Sequence, residues 1–182
     1  HLASLEPQAF AAMVAAIRPR LSGLGAGKTG GRRWRIPISY APEHAPDMEE
    51  VQRLADLTRE EVVGLHSGTE FHVYMIGFLP GHPYMGDLPE ALRLPRLAEP
   101  RTRVPRGAVS IATAFSAIYP VESPGGWRLI GRTPFPLFDL GRDPVALLGP
   151  ADRVRFEPVD AATFEALARD AAAGRWAPAP ED

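Results

Sequence analysis

GFLPGHPYMGDL (77–88), PRTRVPRGAVSIA (100–112) and IYPVESPGGWRLIGRTPFPLF (118–138) follow one another along the chain, and short β-like runs join them. Each block mixes Gly and Pro with Arg, Tyr, Trp or His. An ordinary core strand does not need so many special backbone positions, whereas binding loops on a rigid β scaffold do. The chain carries 20 prolines and 17 glycines in 182 residues, which points to a turn-rich β domain. Short strands outnumber helices through the middle, favouring a barrel or sandwich over a doubly wound sheet.

The runs around these blocks extend that reading. RRWRIPISY (32–40) is expected as a strand with Pro37 marking an edge or an end. EFHVYMIGF (70–78) is a further strand, and others are expected near 108–112, 117–119, 127–132 and 153–157. Asp47 with Glu50, and Thr58 with Glu61, have the spacing of helix-capping boxes, opening helices to about Leu57 and about His66. Amphipathic patterns predict helices over 5–21 and 161–173. GLGAGKTGG (23–31) reads as a flexible connector. Its GAGKT lacks the earlier glycine of a phosphate loop, since Ser22 stands there, and a strand follows it where a phosphate loop needs a helix.

Composition bounds the function. A net charge of −2 gives no strong field for nucleic acid or an anionic membrane. The absence of cysteine excludes a disulfide framework and thiolate catalysis, and fits a cytoplasmic location. No apolar run is long enough for a membrane helix. The five histidines show no metal-ligand spacing, so no metal site is expected.

Candidate site residues lie in the three blocks. Pro80, Gly81 and Pro83 force a stiff loop after a strand and present His82 and Tyr84 at its end. His82 is then a hydrogen-bonding or acid/base candidate, against the alternative of a plain surface turn. Arg101 and Arg103, two apart in an extended segment, share a face and could grip a carboxylate or phosphate, or belong to a solvated edge strand. Arg106 alternates off that face. Gly125 and Gly126 permit close approach of a ligand or another backbone, Trp127 offers a flat face or a core anchor, and Arg132 supplies another fork. His66, at the end of a capped helix, suits the helix dipole.

Taken together, the blocks resemble the family of the 5-oxoprolinase B component, also called the KipI or allophanate-hydrolase-subunit-1 family, of the carboxyltransferase C/D type. RIPISY is similar to its IPVCYG strand, with Ser39 where cysteine is common. APDMEEV is similar to PDLEEVA, and EEVVGLHSGTEFHVYMIGFLPGHPYMGDL to EEVIxLHxxxxYxVYMIGFxPGFPYLGGL. PRLAEPRTRVPRGAVSIA resembles PRxxxPRxxVPAGSVAIA, and IYPVESPGGWRLIGRTPFPLFD resembles IYPxxSPGGWxLIGRTPxxLFD. The likeness runs from about Arg35 to Phe156.

This resemblance implies a mainly β fold: a cyclophilin-like β-barrel over residues 32–182 with a few flanking helices. Residues 1–31 would be a remnant helix and linker, the family's N-terminal α/β lobe being absent or shortened. It implies one component of an ATP-dependent amide or lactam hydrolase acting on 5-oxoproline, inactive alone. Its composite active site would form in a hetero-oligomer with a carboxyltransferase-type partner, the C component of the same enzyme. ATP would be bound with that partner. The alternatives it carries are inhibition of a sporulation histidine kinase and the carboxyltransferase module of urea carboxylase. The family's functional band falls on His66, Gly81, Tyr84, Arg101, Arg103, Ser123, Gly125, Gly126, Trp127 and Arg132. In it, Arg103 or Arg132 would bind a carboxylate or phosphoryl oxygen, and the Gly125 and Gly126 amides would face a developing oxyanion. Tyr84 would orient the lactam or a water, and His66 would be an acid/base only if it faces the cleft. Two departures stand out. His82 replaces the phenylalanine of PGF, and TAFSA (113–117) replaces GGQTG, with Phe115 in the glutamine's place. These loops are expected to converge on one half-cleft.

Overall fold

The computed structural model describes residues 30–181, so the expected helix over 5–21 and most of the glycine connector lie outside the described residues. Alternating burial builds the first strand, β1 (Arg33–Ile38), in which Trp34, Ile36 and Ile38 point inward. Two helices follow, α1 (Met48–Ala55) and α2 (Arg59–Gly68), then β2 (Glu70–Ile76) and β3 (Pro83–Gly86). The central blocks supply β4 (Arg101–Val104), β5 (Ala108–Ala112), β6 (Phe115–Ile118), β7 (Ser123–Gly125) and β8 (Arg128–Arg132). The chain ends through β9 (Arg153–Pro158), α3 (Ala161–Ala172) and β10 (Pro180–Glu181).

Eight strands form one mixed sheet in the order β10-β1-β9-β2-β3-β6-β5-β8, while β4 and β7 pair as a separate ribbon. Only β1 and β9 run parallel; the other ladders are antiparallel. The sheet curls until its ends meet at one place. There Ser39, just past β1, exchanges two 2.9 Å backbone hydrogen bonds with Arg132 at the end of β8. This is a seam and not a continuous ladder, so the barrel is not fully closed. Arg32 and Ile38 accept from β9 and the residue after it, which directs the even-numbered backbone groups of β1 toward β9 and the odd-numbered ones outward. On that outward side Arg33 pairs with β10 and Ser39 with β8, leaving Arg35 and Pro37 between them.

The interior is aliphatic and aromatic: Ile36, Ile38, Phe71, Val109, Ile111, Ile118, Ile130 and Phe156 meet inside the curled sheet. Helix α1 adds Met48 and Val51, and α2 adds Val62. The Thr58–Glu61 capping box forms as the spacing predicts. The Asp47–Glu50 box does not. Asp47 makes no side-chain cap; its carboxylate accepts from Leu129 N (2.6 Å) and from Arg101, while Glu50 turns to Arg128 (3.2 Å). Cross-chain donors, two of them cationic, outcompete the local amide because charge-assisted bonds are the stronger ones. In β2, a bulge between Val73 and Met75 breaks the alternation, so both Tyr74 and Met75 are exposed.

Candidate active site: an aromatic cage and an arginine cleft

The loop 77–82 turns as its Pro and Gly content dictates. Gly77 N donates to His82 O at 3.1 Å, and Gly81 adopts φ +73° with the Phe138 ring packed where a Cβ would project. The turn tucks His82 inward. It is only 2% exposed, and Nδ1 has no hydrogen-bond partner among the described residues. Four aromatic rings surround it: Phe78 (5.6 Å), Tyr84 (5.2 Å), Tyr119 (5.2 Å) and Trp127 (6.4 Å), all edge-on. Burial lowers its pKa to about 4, so the ring is neutral at pH 7. Tyr84 and Trp127 also contact one another at 5.7 Å, and Phe115 caps Tyr84 at 6.2 Å. His82, Tyr84 and Trp127, which the sequence singled out, thus meet in one cage with Phe78 and Tyr119, and Phe115 of the TAFSA turn is part of its rim.

The glycines serve the cage by removing bulk. A Cβ on Gly125 would lie 2.2 Å from the Tyr119 hydroxyl. Gly126 places its carbonyl on Leu97 N at 2.8 Å and lies against Pro100. Ser123 is buried in β7, with its hydroxyl on the Pro124 carbonyl at 3.2 Å.

The arginines collect elsewhere. Arg101, Arg103 and Arg132 line a cleft of about 210 Å³ together with Glu43, His44 and Pro46. Asp47 pins Arg101, yet Nη1 of Arg101 is buried and unpartnered among the described residues. Arg103 is 77% exposed and pairs with Glu122 at 2.8 Å. Arg132 is oriented through Nε, which donates to Arg106 O at 3.1 Å, and its two terminal nitrogens, unpartnered among the described residues, can face an anion. Burial, then the Arg132 charge, lower the His44 pKa, against the opposing pull of Glu43 and Glu165. The cluster of Val104, Ala108, Tyr119 and Leu129 touches both regions: Ala108 and Leu129 line the cleft, and Tyr119 meets His82. The expected single cleft is thus two neighbouring sites. Sequence reasoning missed His44 and Glu43, which sit in a Pro-bounded loop with no motif to mark them.

His66 faces neither site. It is fully buried in the core, stacked on Phe156 at 4.7 Å. The Ser116 hydroxyl donates to Ser110 O at 3.1 Å, so it accepts from His66 Nε2 at 3.0 Å, and Nδ1 accepts the Tyr40 hydroxyl at 2.7 Å. Burial lowers its pKa to about 3. A neutral histidine with both nitrogens satisfied inside a core links α2 to the sheet. Among the described residues, no three His, Asp or Glu side chains gather as a metal site, and no helix is long and apolar enough to cross a membrane.

The comparisons agree with this architecture. Residues 2–148 match the carboxyltransferase domain, subdomain C and D. The chain is 48% identical over 123 residues to the B component of 5-oxoprolinase from Escherichia coli O157:H7, covering 68% of this chain and 56% of that protein. Against the same component from Bacillus subtilis (strain 168) it is 40% identical over 131 residues, 72% and 55% of the two chains. It therefore spans about half the length of these curated relatives. Among solved structures, the conserved uncharacterized protein PH0987 from Pyrococcus horikoshii superposes with a TM-score of 0.71 at 35% identity, over 90% of this chain and 74% of that one. The Kluyveromyces lactis urea carboxylase shares the fold, with a TM-score of 0.73 at 22% identity over 96% of this chain and 18% of that one. With a family match over most of its length and relatives of this kind, the chain belongs to the carboxyltransferase domain family, subdomain C and D.

Proposed function

We propose that the chain contributes half of a composite active site in a 5-oxoprolinase-type, ATP-dependent lactam hydrolase, completed by a partner of the C-component type. The observation that carries this reading is the arginine cleft, with three guanidiniums around about 210 Å³ and one buried, unpartnered donor on Arg101. A five-membered lactam acid presents a carboxylate, which a planar fork grips through two parallel hydrogen bonds. Arg132, oriented by its Nε bond, is the residue best placed for that grip. Arg103 exchanges its exposed Glu122 pair at little cost, since such surface pairs contribute only about 0–1 kcal/mol. Tyr84, Trp127 and the neutral His82 of the aromatic cage wall off water beside the cleft. ATP, held with the partner, would supply the phosphoryl group that activates the amide oxygen.

The test is to purify the chain with a C-component protein and follow 5-oxoproline-dependent ATP hydrolysis. Turnover above either protein alone is expected. Arg132→Lys, which keeps the charge and loses the fork, should lower kcat/KM by about tenfold or more. No turnover above the separate proteins rejects the reading. A second reading, as the carboxyltransferase half of a urea carboxylase, draws on 28% identity over 148 residues to the urea amidolyase of Saccharomyces cerevisiae (strain ATCC 204508 / S288c). It predicts transfer of the carboxyl group from carboxybiotin to a urea nitrogen by the same pair, giving free biotin and urea-1-carboxylate, in place of 5-oxoproline turnover.

A further inference from the structure

A second cavity, of about 260 Å³, opens between the end of β8 and α3, and its walls carry charges that no described residue pairs with. Arg106, Arg132, Thr133, Phe135, Phe164 and Glu165 line it. Among the described residues, Arg106, Arg132 and Glu165 take part in none of the ion pairs, although other arginines and carboxylates pair throughout the surface. The one bond between the two arginines runs from Arg132 Nε to the Arg106 carbonyl, which leaves the Arg106 guanidinium unengaged. Thr133 is 3% exposed, and its Oγ1 is buried without a partner among the described residues. A buried hydroxyl in that state is unfavourable until something hydrogen-bonds to it. The volume is far above what a single water requires.

The wall chemistry selects a class of ligand. Two guanidiniums and a hydroxyl suit a carboxylate. Glu165, exposed in the second turn of α3, weakens binding of a plain dianion and attracts an ammonium group. Phe135 and Phe164 supply apolar walls for a short aliphatic group. We infer that this cavity binds a free α-amino acid, its carboxylate on Arg106, Arg132 and Thr133 and its ammonium on Glu165. The site is separate from the arginine cleft and does not depend on the lactam-hydrolase reading, but it shares Arg132 with that cleft. Further, the His44 ring packs on Phe164 at 4.1 Å, so one wall of each site rests on the other. An amino acid in this cavity and an anion in the cleft therefore draw on one guanidinium, and each weakens the other.

The test is calorimetric titration and thermal shift on the full chain, with glycine, L-alanine, L-serine and L-valine offered one at a time. Acetate and methylammonium serve as probes that carry only one of the two charges. At least one amino acid should bind about tenfold more tightly than either single-charge probe. Glu165→Gln should remove that preference without weakening acetate binding, and Arg106→Ala should weaken amino acid and acetate alike. Thr133→Val should melt higher than the wild type without ligand and show a smaller ligand-induced shift. The proposal is overturned if no amino acid outbinds acetate, or if Glu165→Gln preserves the preference. An undiminished shift in Thr133→Val overturns the role given to that hydroxyl. Because no 5-oxoproline turnover is read, failure here leaves the proposal for the arginine cleft standing on its own assay.

Discussion

His82 occupies a position built for an aromatic ring, and the fold accepts it as one. Neutral in the native state with a pKa of about 4, it titrates near 6.5 when unfolded. Its depressed folded value means that its contribution is complete above pH 6.5 and is lost as the pH falls toward 4, because the unfolded chain takes up the proton first. His82→Phe should therefore flatten the acid limb of stability. Relative to pH 7.5, the variant should lose about 2 kcal/mol less than the wild type at about pH 5, read from urea unfolding at both values. Equal losses would show that the ring is not held neutral. Thr113 is a residue whose side chain and backbone disagree. It turns the β5–β6 hairpin with φ 52°, a region that β-branched side chains rarely enter. Thr113→Asn should raise stability by about 1 kcal/mol in thermal melts, since Asn tolerates the left-handed region. The replacement of GGQTG was visible in the sequence. That it would strain one residue and send Phe115 to cap Tyr84 was not, because both depend on what lies across the hairpin.

At the scale of elements, periodicity and capping signals located α2, α3, β5, β8 and β9 to within a residue or two. The short strands β3, β4 and β7 read as loops or mere extended chain, because Pro and Gly within them mask any alternation and only the pairing partner makes them strands. The same limit explains the site. Three arginines converge because β4 and β8 fold against the 43–47 loop, a contact that no local pattern encodes. Asp47 holds that arrangement. It joins the start of α1 to β8 through Leu129 N and to β4 through Arg101. Asp47→Ala leaves a buried amide and a half-buried guanidinium unpaired, and should lower stability by about 2–3 kcal/mol in urea unfolding. Loss below about 1 kcal/mol would mean that water replaces the carboxylate.

For the whole molecule, the sheet and its curl match the expected barrel, while the seam was invisible in the sequence. Two hydrogen bonds between Ser39 and Arg132 bring the sheet ends together, and Gly131 makes the approach possible. A Cβ there would lie 2.7 Å from Ile38 Cδ1 and 3.0 Å from Ser39 O. Gly131→Ala should force the ends apart and destabilise by about 1–3 kcal/mol. Amide exchange at Ser39 and Arg132 should quicken more than exchange at the β1–β9 ladder. Uniform quickening would place the damage in the core and not at the seam.

The gap in that ring has a consequence for the protein in a crowded solution. Between the β10 pairing at Arg33 and the seam at Ser39, the outer backbone of β1 offers hydrogen-bonding groups to any passing extended chain. Pro37 stands at one of the two outward-facing positions of that stretch, beside Arg35, and has no amide proton to give. A foreign strand docking there meets a ladder broken after Arg35, so one ring-locked residue weakens the templating of aggregation along the open edge of the barrel.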